Sequence, residues 1–73
     1  MKIKANDYEA KEIMKIIREW AELTQEEFGE SLHRSKHTIQ AYEQGQNNYS
    51  MATFLEIAKT HGLTITIEKK TRK

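Results

Sequence analysis

The sequence predicts an all-α domain of four short helices followed by a short C-terminal β-strand. The 73-residue chain has no proline and only three glycines, so helices can extend between few interruptions. Apolar residues recur every three or four positions in several segments, which is the period of a helix. After Gly62 they alternate instead, as in a strand. We therefore expect a single domain with a helical core at about 7–62, a strand at about 63–69 and a basic tail at 70–73.

The first helix is predicted from the apolar pattern between Tyr8 and Trp20. Its apolar residues share one helical face and are Ala10, Ile13, Met14, Ile17 and Trp20. Asn6 precedes this segment and Glu9 follows three residues later. This spacing is typical of a capping box, in which two side chains accept hydrogen bonds from two backbone amides. The helix is therefore expected to begin just after Asn6.

A short second helix is predicted to begin at Thr24. Thr24 and Glu27 have the spacing of a second capping box, and the helix is expected to end near Leu32. Phe28 and Leu32 would form its buried side. We attribute the small size of Gly29 to close crossing by the third helix.

The third helix, predicted at 35–44, follows almost at once. Ser35 can cap its start, and Gly45 can supply the left-handed residue that commonly ends a helix. Only His33 and Arg34 separate the second helix from the Ser35 cap. The two helices must therefore cross sharply, which is helix-turn-helix geometry.

A fourth helix is predicted from Ser50 to Gly62. Ser50 can cap its start, and Gly62 can close it. Its apolar residues form a stripe and are Met51, Phe54, Leu55, Ile57 and Ala58.

The predicted C-terminal strand carries Leu63, Ile65 and Ile67 on one face. The one candidate partner within the chain is the alternating segment 1–5, and a two-stranded pairing alone is marginal in water. We therefore expect this tail either to be disordered or to pair with another chain.

The charge of the chain is small overall but unevenly distributed. The formal net charge is +1, with −3 in residues 1–32 and +4 in residues 33–73. The positive half could face phosphate groups. Solvated helix faces explain the same pattern, and charge alone favours this simpler interpretation, so motifs have to decide.

The composition argues against several classes of site. The absence of cysteine excludes disulfides and thiolate metal sites. His33 and His37 lie four residues apart but lack a third ligand at a sensible spacing, so we expect no metal site. No motif for a nucleophile, a phosphate-binding glycine loop or paired carboxylates is recognisable, so we expect no enzymatic activity and no cofactor. No signal peptide or apolar segment of about 20 residues occurs, so we expect a cytoplasmic protein without a membrane partner.

Two stretches carry the strongest motif, LTQEEFG at 23–29 and TIQAYEQG at 38–45. With flanking positions such as Arg18 and Ser50, they resemble the phage-repressor helix-turn-helix family (Cro/cI-like, XRE-type) over roughly residues 10–62. The resemblance implies a compact, lambda-repressor-like fold of four helices. It also implies a transcriptional regulator that binds double-stranded DNA sequence-specifically, most simply a repressor that binds a palindromic operator as a homodimer.

The resemblance further implies that helix 35–44 enters the major groove. Its outward residues would read bases, and the candidates are Lys36, His37, Gln40 and Ala41. Lys36 can donate to guanine, Gln40 can bond adenine in bidentate fashion, and Ala41 can contact a thymine methyl group.

Polar residues around this helix are expected to contact backbone phosphates. In the resembling family a glutamine at the position of Gln25 binds a phosphate. The full set of phosphate candidates is Gln25, Arg34, Ser35, Thr38, Gln46 and Asn48. An ordinary solvated side chain is the alternative for each, and Ser35 also serves as a cap.

The resemblance also implies a structural ion pair between Arg18 and Glu43. Three positions depart from the family pattern. The turn, usually glycine followed by a buried aliphatic residue, contains His33 and Arg34, and histidine tolerates the left-handed conformation better than most residues. Tyr49 replaces a common proline and is expected at the surface.

The main alternative function is a protein-interaction module of the same fold, such as an antitoxin whose main partner is a toxin protein. The edge of the predicted C-terminal strand could receive a partner strand. Some antitoxins similar to this family dimerise through such a strand. We accordingly expect a homodimer paired through Leu63, Ile65 and Ile67.

Overall fold

A computed structural model describes residues 1–71, which form four α-helices and no β-strand. The helices are α1 (Ala10–Trp20), α2 (Gln25–Ser31), α3 (Lys36–Gln44) and α4 (Met51–Thr60), and a 3-10 turn (Ala5–Asp7) precedes them. The predicted all-helical architecture is confirmed. Arg72 and Lys73 of the predicted basic tail lie outside the described residues.

The first helix begins later than its capping pattern predicts. Asn6 lies in the 3-10 turn, and Tyr8 and Glu9 are extended, so the turn does not continue into α1. Glu9 is the N-cap of α1, and its backbone amide donates to Glu12 Oε1 at 2.8 Å. The predicted box of Asn6 and Glu9 is therefore wrong by three residues. Glu9 and Glu12 have the same spacing, and this second pattern is the one that forms.

The other three helix starts are as predicted. The hydroxyl oxygens of Thr24, Ser35 and Ser50 each accept the backbone amide three residues on, at 3.1, 3.2 and 3.0 Å. Glu27 completes the box at Thr24 by accepting its backbone amide at 2.9 Å. Gly45 ends α3 with φ of +77°, in the left-handed region. These local signals confirm the predicted helix order.

The hydrophobic core draws on all four helices. Its buried members are Met14, Ile17, Phe28, Leu32, Ile39, Ile57 and Ala58. The closest packing of backbones is between α2 and α3 and between α1 and α3. Burial of these side chains supplies the main favourable term for folding.

His61 joins the end of α4 to α2. Its ring stacks on Phe28, with ring centroids 4.9 Å apart, and Nε2 lies 3.0 Å from Ser31 Oγ. Ser31 donates its own hydrogen to the Phe28 carbonyl oxygen at 2.7 Å. Ser31 Oγ therefore links the Phe28 carbonyl oxygen to the His61 ring.

Tyr49 is half-buried, which corrects its expected place at the surface. Its ring contacts Tyr42 and Phe54, with centroid distances of 5.5 and 5.9 Å. Its hydroxyl donates to the Ala10 carbonyl oxygen at the start of α1. Burial raises the pKa of Tyr49 above its ordinary value of 10.0. The side chain thus holds the loop before α4 against α1.

The predicted C-terminal strand is not observed within residues 63–71. Leu63 packs against the core, whereas Ile65 is exposed and Ile67 is 90% exposed. A strand needs a ladder of hydrogen bonds to a second strand. Segment 1–5 provides none, so alternation alone does not produce a strand in this chain.

Tyr49→Phe tests the hydrogen bond of the Tyr49 hydroxyl. The substitution removes the bond to Ala10, and we expect it to lower the free energy of unfolding at pH 7 by about 1 kcal/mol. Because the folded-state pKa is raised, the parent protein keeps this contribution below pH 10 and loses it as the pH rises through the folded pKa. Urea unfolding between pH 7 and 11 should show a smaller alkaline loss for the variant. Tyr8→Phe, at an exposed tyrosine, is the control, and an equal effect there would contradict the assignment.

Candidate nucleic-acid interface

The turn between α2 and α3 brings their backbones into close contact. His33 has φ of +58°, in the left-handed region, and Arg34 donates its backbone amide to the Gly29 carbonyl at 2.8 Å. A Cβ atom on Gly29 would lie 2.5 Å from the Arg34 carbonyl oxygen and 3.2 Å from that of Ser35. Gly29 therefore leaves room for the carbonyl groups of the turn and of the Ser35 cap where α3 crosses α2.

Glu43, near the end of α3, is bound by side chains from α1 and α2. Arg18 donates from Nε to Oε2 at 2.6 Å and from Nη2 to Oε1 at 3.1 Å. Gln25 donates from Nε2 to Oε1 at 3.2 Å. The Glu43 side chain is 6% exposed and that of Arg18 is 16% exposed, so water screens the pair little. Hydrogen bonding to Glu43 raises the pKa of Arg18 more than burial lowers it.

The four residues expected to read bases lie on the side of α3 opposite the core. Lys36 and His37 are exposed in its first turn, and Gln40 and Ala41 are half-buried one turn later. Ile39, between them in sequence, is fully buried. The pair at the start of α3 therefore offers its polar atoms to solvent.

Lys36 and Gln25 line the same open depression on the surface, together with Arg18, Thr24 and Glu26. The starts of α2 and α3 thus come together, which unites one candidate for base reading with one for phosphate contact. Arg18 is neutralised there by Glu43. Lys36 supplies the remaining positive charge of the depression, and Glu26 opposes it.

The other phosphate candidates are placed differently. Ser35 caps α3, and its hydroxyl lies 3.0 Å from that of Thr38. Gln46 and Asn48 are exposed in the loop after α3. The guanidinium of Arg34 is directed at α4 and at its own turn.

The contacts of Arg34 were not predicted. Its Nη1 donates to the Leu32 carbonyl oxygen at 3.0 Å and to Glu56 Oε1 at 3.3 Å, and its Nη2 donates to Thr53 Oγ1 at 3.4 Å. The bond between Gln25 and Glu43 was also missed. No local spacing in the sequence points to either contact.

Two further observations concern the described part of the chain. Within residues 1–71, no three His, Cys, Asp or Glu side chains are grouped so that they could hold a metal ion. None of the helices there has the length and apolar character needed to cross a membrane.

Comparison with known proteins identifies a family for this chain. The family described as helix-turn-helix domain matches residues 14–66, from within α1 to the segment after α4, which is more than half of the chain. No curated protein and no solved structure matches the chain.

Glu43→Ala tests the ion pair. The substitution leaves the Arg18 guanidinium largely buried without its carboxylate, so we expect the free energy of unfolding to fall by about 3 kcal/mol. Thermal and urea unfolding measure this loss. Glu56→Ala is the matched control, because Glu56 pairs with Arg34 but is 51% exposed, and such pairs contribute about 1 kcal/mol at most. Equal losses in the two variants would contradict the role given to the Arg18–Glu43 pair.

Proposed function

The chain belongs to the family of helix-turn-helix domains, and on this premise we propose that it is a sequence-specific regulator of transcription. Domains of this family bind double-stranded DNA, with the second helix of the motif in the major groove. The observation that carries the proposal is the exposed start of α3, where Lys36 and His37 face solvent and Lys36 lies beside the start of α2. The proposed activity is binding alone, without a catalytic step or a cofactor.

Base recognition is assigned to the outward side of α3. The Lys36 ammonium can donate to O6 and N7 of guanine, and the Gln40 amide can bond adenine N6 and N7. His37 offers a ring nitrogen, and Ala41 offers a methyl group to thymine. Because Lys36 and His37 are the more exposed pair, they would make the first contacts in the groove.

Phosphate binding is assigned to polar groups on both sides of α3. The Gln25 amide uses one N–H with Glu43, which fixes its orientation and leaves the second N–H to donate to a phosphate oxygen. One of the hydroxyls of Ser35 and Thr38 donates the bond between them, and the other keeps its hydrogen for a phosphate oxygen. Gln46 and Asn48 extend this set beyond the end of α3. Such contacts set the register on DNA without reading sequence.

Selection of duplexes from a random pool, followed by fluorescence anisotropy, tests recognition. We expect one sequence to be enriched and its affinity to fall as salt rises, because bound phosphates release counterions. Lys36→Ala, His37→Ala and Gln40→Ala should each cost about 1 to 3 kcal/mol at particular base pairs. Lys59→Ala is the control, since it removes an exposed lysine from α4 rather than α3. Failure to enrich any sequence, or equal effects of Lys36→Ala and Lys59→Ala, would overturn the proposal.

The proposed regulator is a repressor that binds as a homodimer to a palindromic operator, as phage repressors of the Cro/cI-like type do. The support is an exposed set of large apolar residues in the second half of the chain: Met51, Leu55, Ile65 and Ile67. Exposed apolar side chains gain free energy when a partner covers them. A second copy can also supply the strand that residues 63–68 lack, which would place two α3 helices about a twofold axis.

Charge placed on one face of the tail tests this dimer. In sedimentation, Ile65→Lys with Ile67→Lys should convert a dimer to a monomer, because the apolar face of the tail is the one proposed to contact the partner chain. Thr64→Lys with Thr66→Lys adds the same charge on the other face and should leave the mass unchanged. A monomeric parent would contradict the dimer. A parent that gains mass only with a second protein would favour the alternative role as an interaction module such as an antitoxin.

A further inference from the structure

Arg34 lies in the turn immediately before Ser35, the residue that caps α3. Its side chain is 25% exposed and donates three hydrogen bonds, one to its own turn and two to α4. The α4 acceptors are Thr53 Oγ1 and Glu56 Oε1, which lie one turn apart on the same helix. The guanidinium therefore spans the gap between the turn and α4.

The backbone of Arg34 is held against α2. Its amide donates to the Gly29 carbonyl at 2.8 Å, and its own carbonyl oxygen packs where a Cβ on Gly29 would stand. Backbone contacts thus hold this residue to α2, and side-chain contacts hold it to α4. The peptide bond that follows leads directly into the cap and first turn of α3.

We propose that Arg34 is a positioning residue, which sets the start of α3 by bracing the turn against Thr53 and Glu56 of α4. This inference rests on the proposed function and assigns Arg34 a different part in it from a phosphate contact. Three of the five N–H groups of the guanidinium already donate within the protein, and Glu56 pairs with its charge. Lys36 and His37, in the first turn of α3, depend on where the turn holds them.

The two roles predict opposite results for Glu56→Ala. If Arg34 bound a phosphate, loss of Glu56 would release the guanidinium and remove a negative charge, so DNA affinity would rise. If Arg34 positions α3, loss of Glu56 weakens the brace and DNA affinity falls. The expected fall is about fivefold, the equivalent of one partly exposed ion pair. Glu30→Ala is the control for charge, since it removes an exposed acid from α2.

Salt dependence separates the roles a second time. Arg34→Ala should weaken binding to the selected duplex and leave the slope of log affinity against log salt unchanged. Loss of a phosphate contact would instead reduce that slope by about one. A reduced slope for Arg34→Ala, or higher affinity for Glu56→Ala than for Glu30→Ala, would overturn the inference.

Two measurements without DNA test the positioning role of Arg34 separately from the proposed function. The double variant of Arg34 and Glu56 should lose less stability in urea than the two single variants together, because the residues share one contact. In NMR spectra, Glu56→Ala should shift the backbone amides of Ser35, Lys36 and His37, and Glu30→Ala should not. Additive losses of stability, or amide shifts confined to α4, would overturn the positioning role of Arg34 even if the parent binds DNA. If the variants show both effects and the parent binds no DNA, only the proposed function is overturned.

Discussion

The arrangement of the first three helices depends on the hydrogen bonds that the Glu43 carboxylate accepts. This carboxylate lies on α3 and receives hydrogen bonds from Arg18 on α1 and Gln25 on α2. A charge with so little exposure is costly unless it is paired, so α3 must lie where both donors reach it. Burial of the apolar core stabilises the fold but is non-directional, so it does not by itself fix the orientation of a helix. The ion pair supplies direction, and it thereby defines which side of α3 faces solvent.

Features that depend on neighbouring residues could be predicted from the sequence. Thr24, Ser35 and Ser50 cap their helices as expected, because a cap involves a side chain and an amide three residues away. The predicted start of the first helix was wrong for a local reason. Two capping patterns overlap there, and Asn6 is the better N-cap by residue type. The extended conformation of Tyr8 decides between them, and no propensity revealed it.

Features that depend on distant residues were predicted only where a family motif covered them. The motif indicated a pair of Arg18 and Glu43, which lie in contact. It carried no information on Arg34, since an arginine on a polar surface has many acids within reach and only the docking of α4 selects Glu56. Tyr49 was misplaced for the same reason, as its hydrogen bond reaches back 39 residues. The predicted strand at 63–69 is not observed because alternation is a local signal, whereas a strand requires a hydrogen-bonded neighbour.

The close approach at Gly29 separates the framework of the motif from its outward chemistry. A side chain at that position would collide with backbone oxygens, so the crossing of α2 and α3 tolerates almost no variation there. Lys36 and His37 lie outside this crossing and contribute nothing to the core. Substitutions at those two positions can therefore exchange the groups offered to a ligand while the crossing stays intact. Such a domain can change its binding preference over generations without first losing its stability.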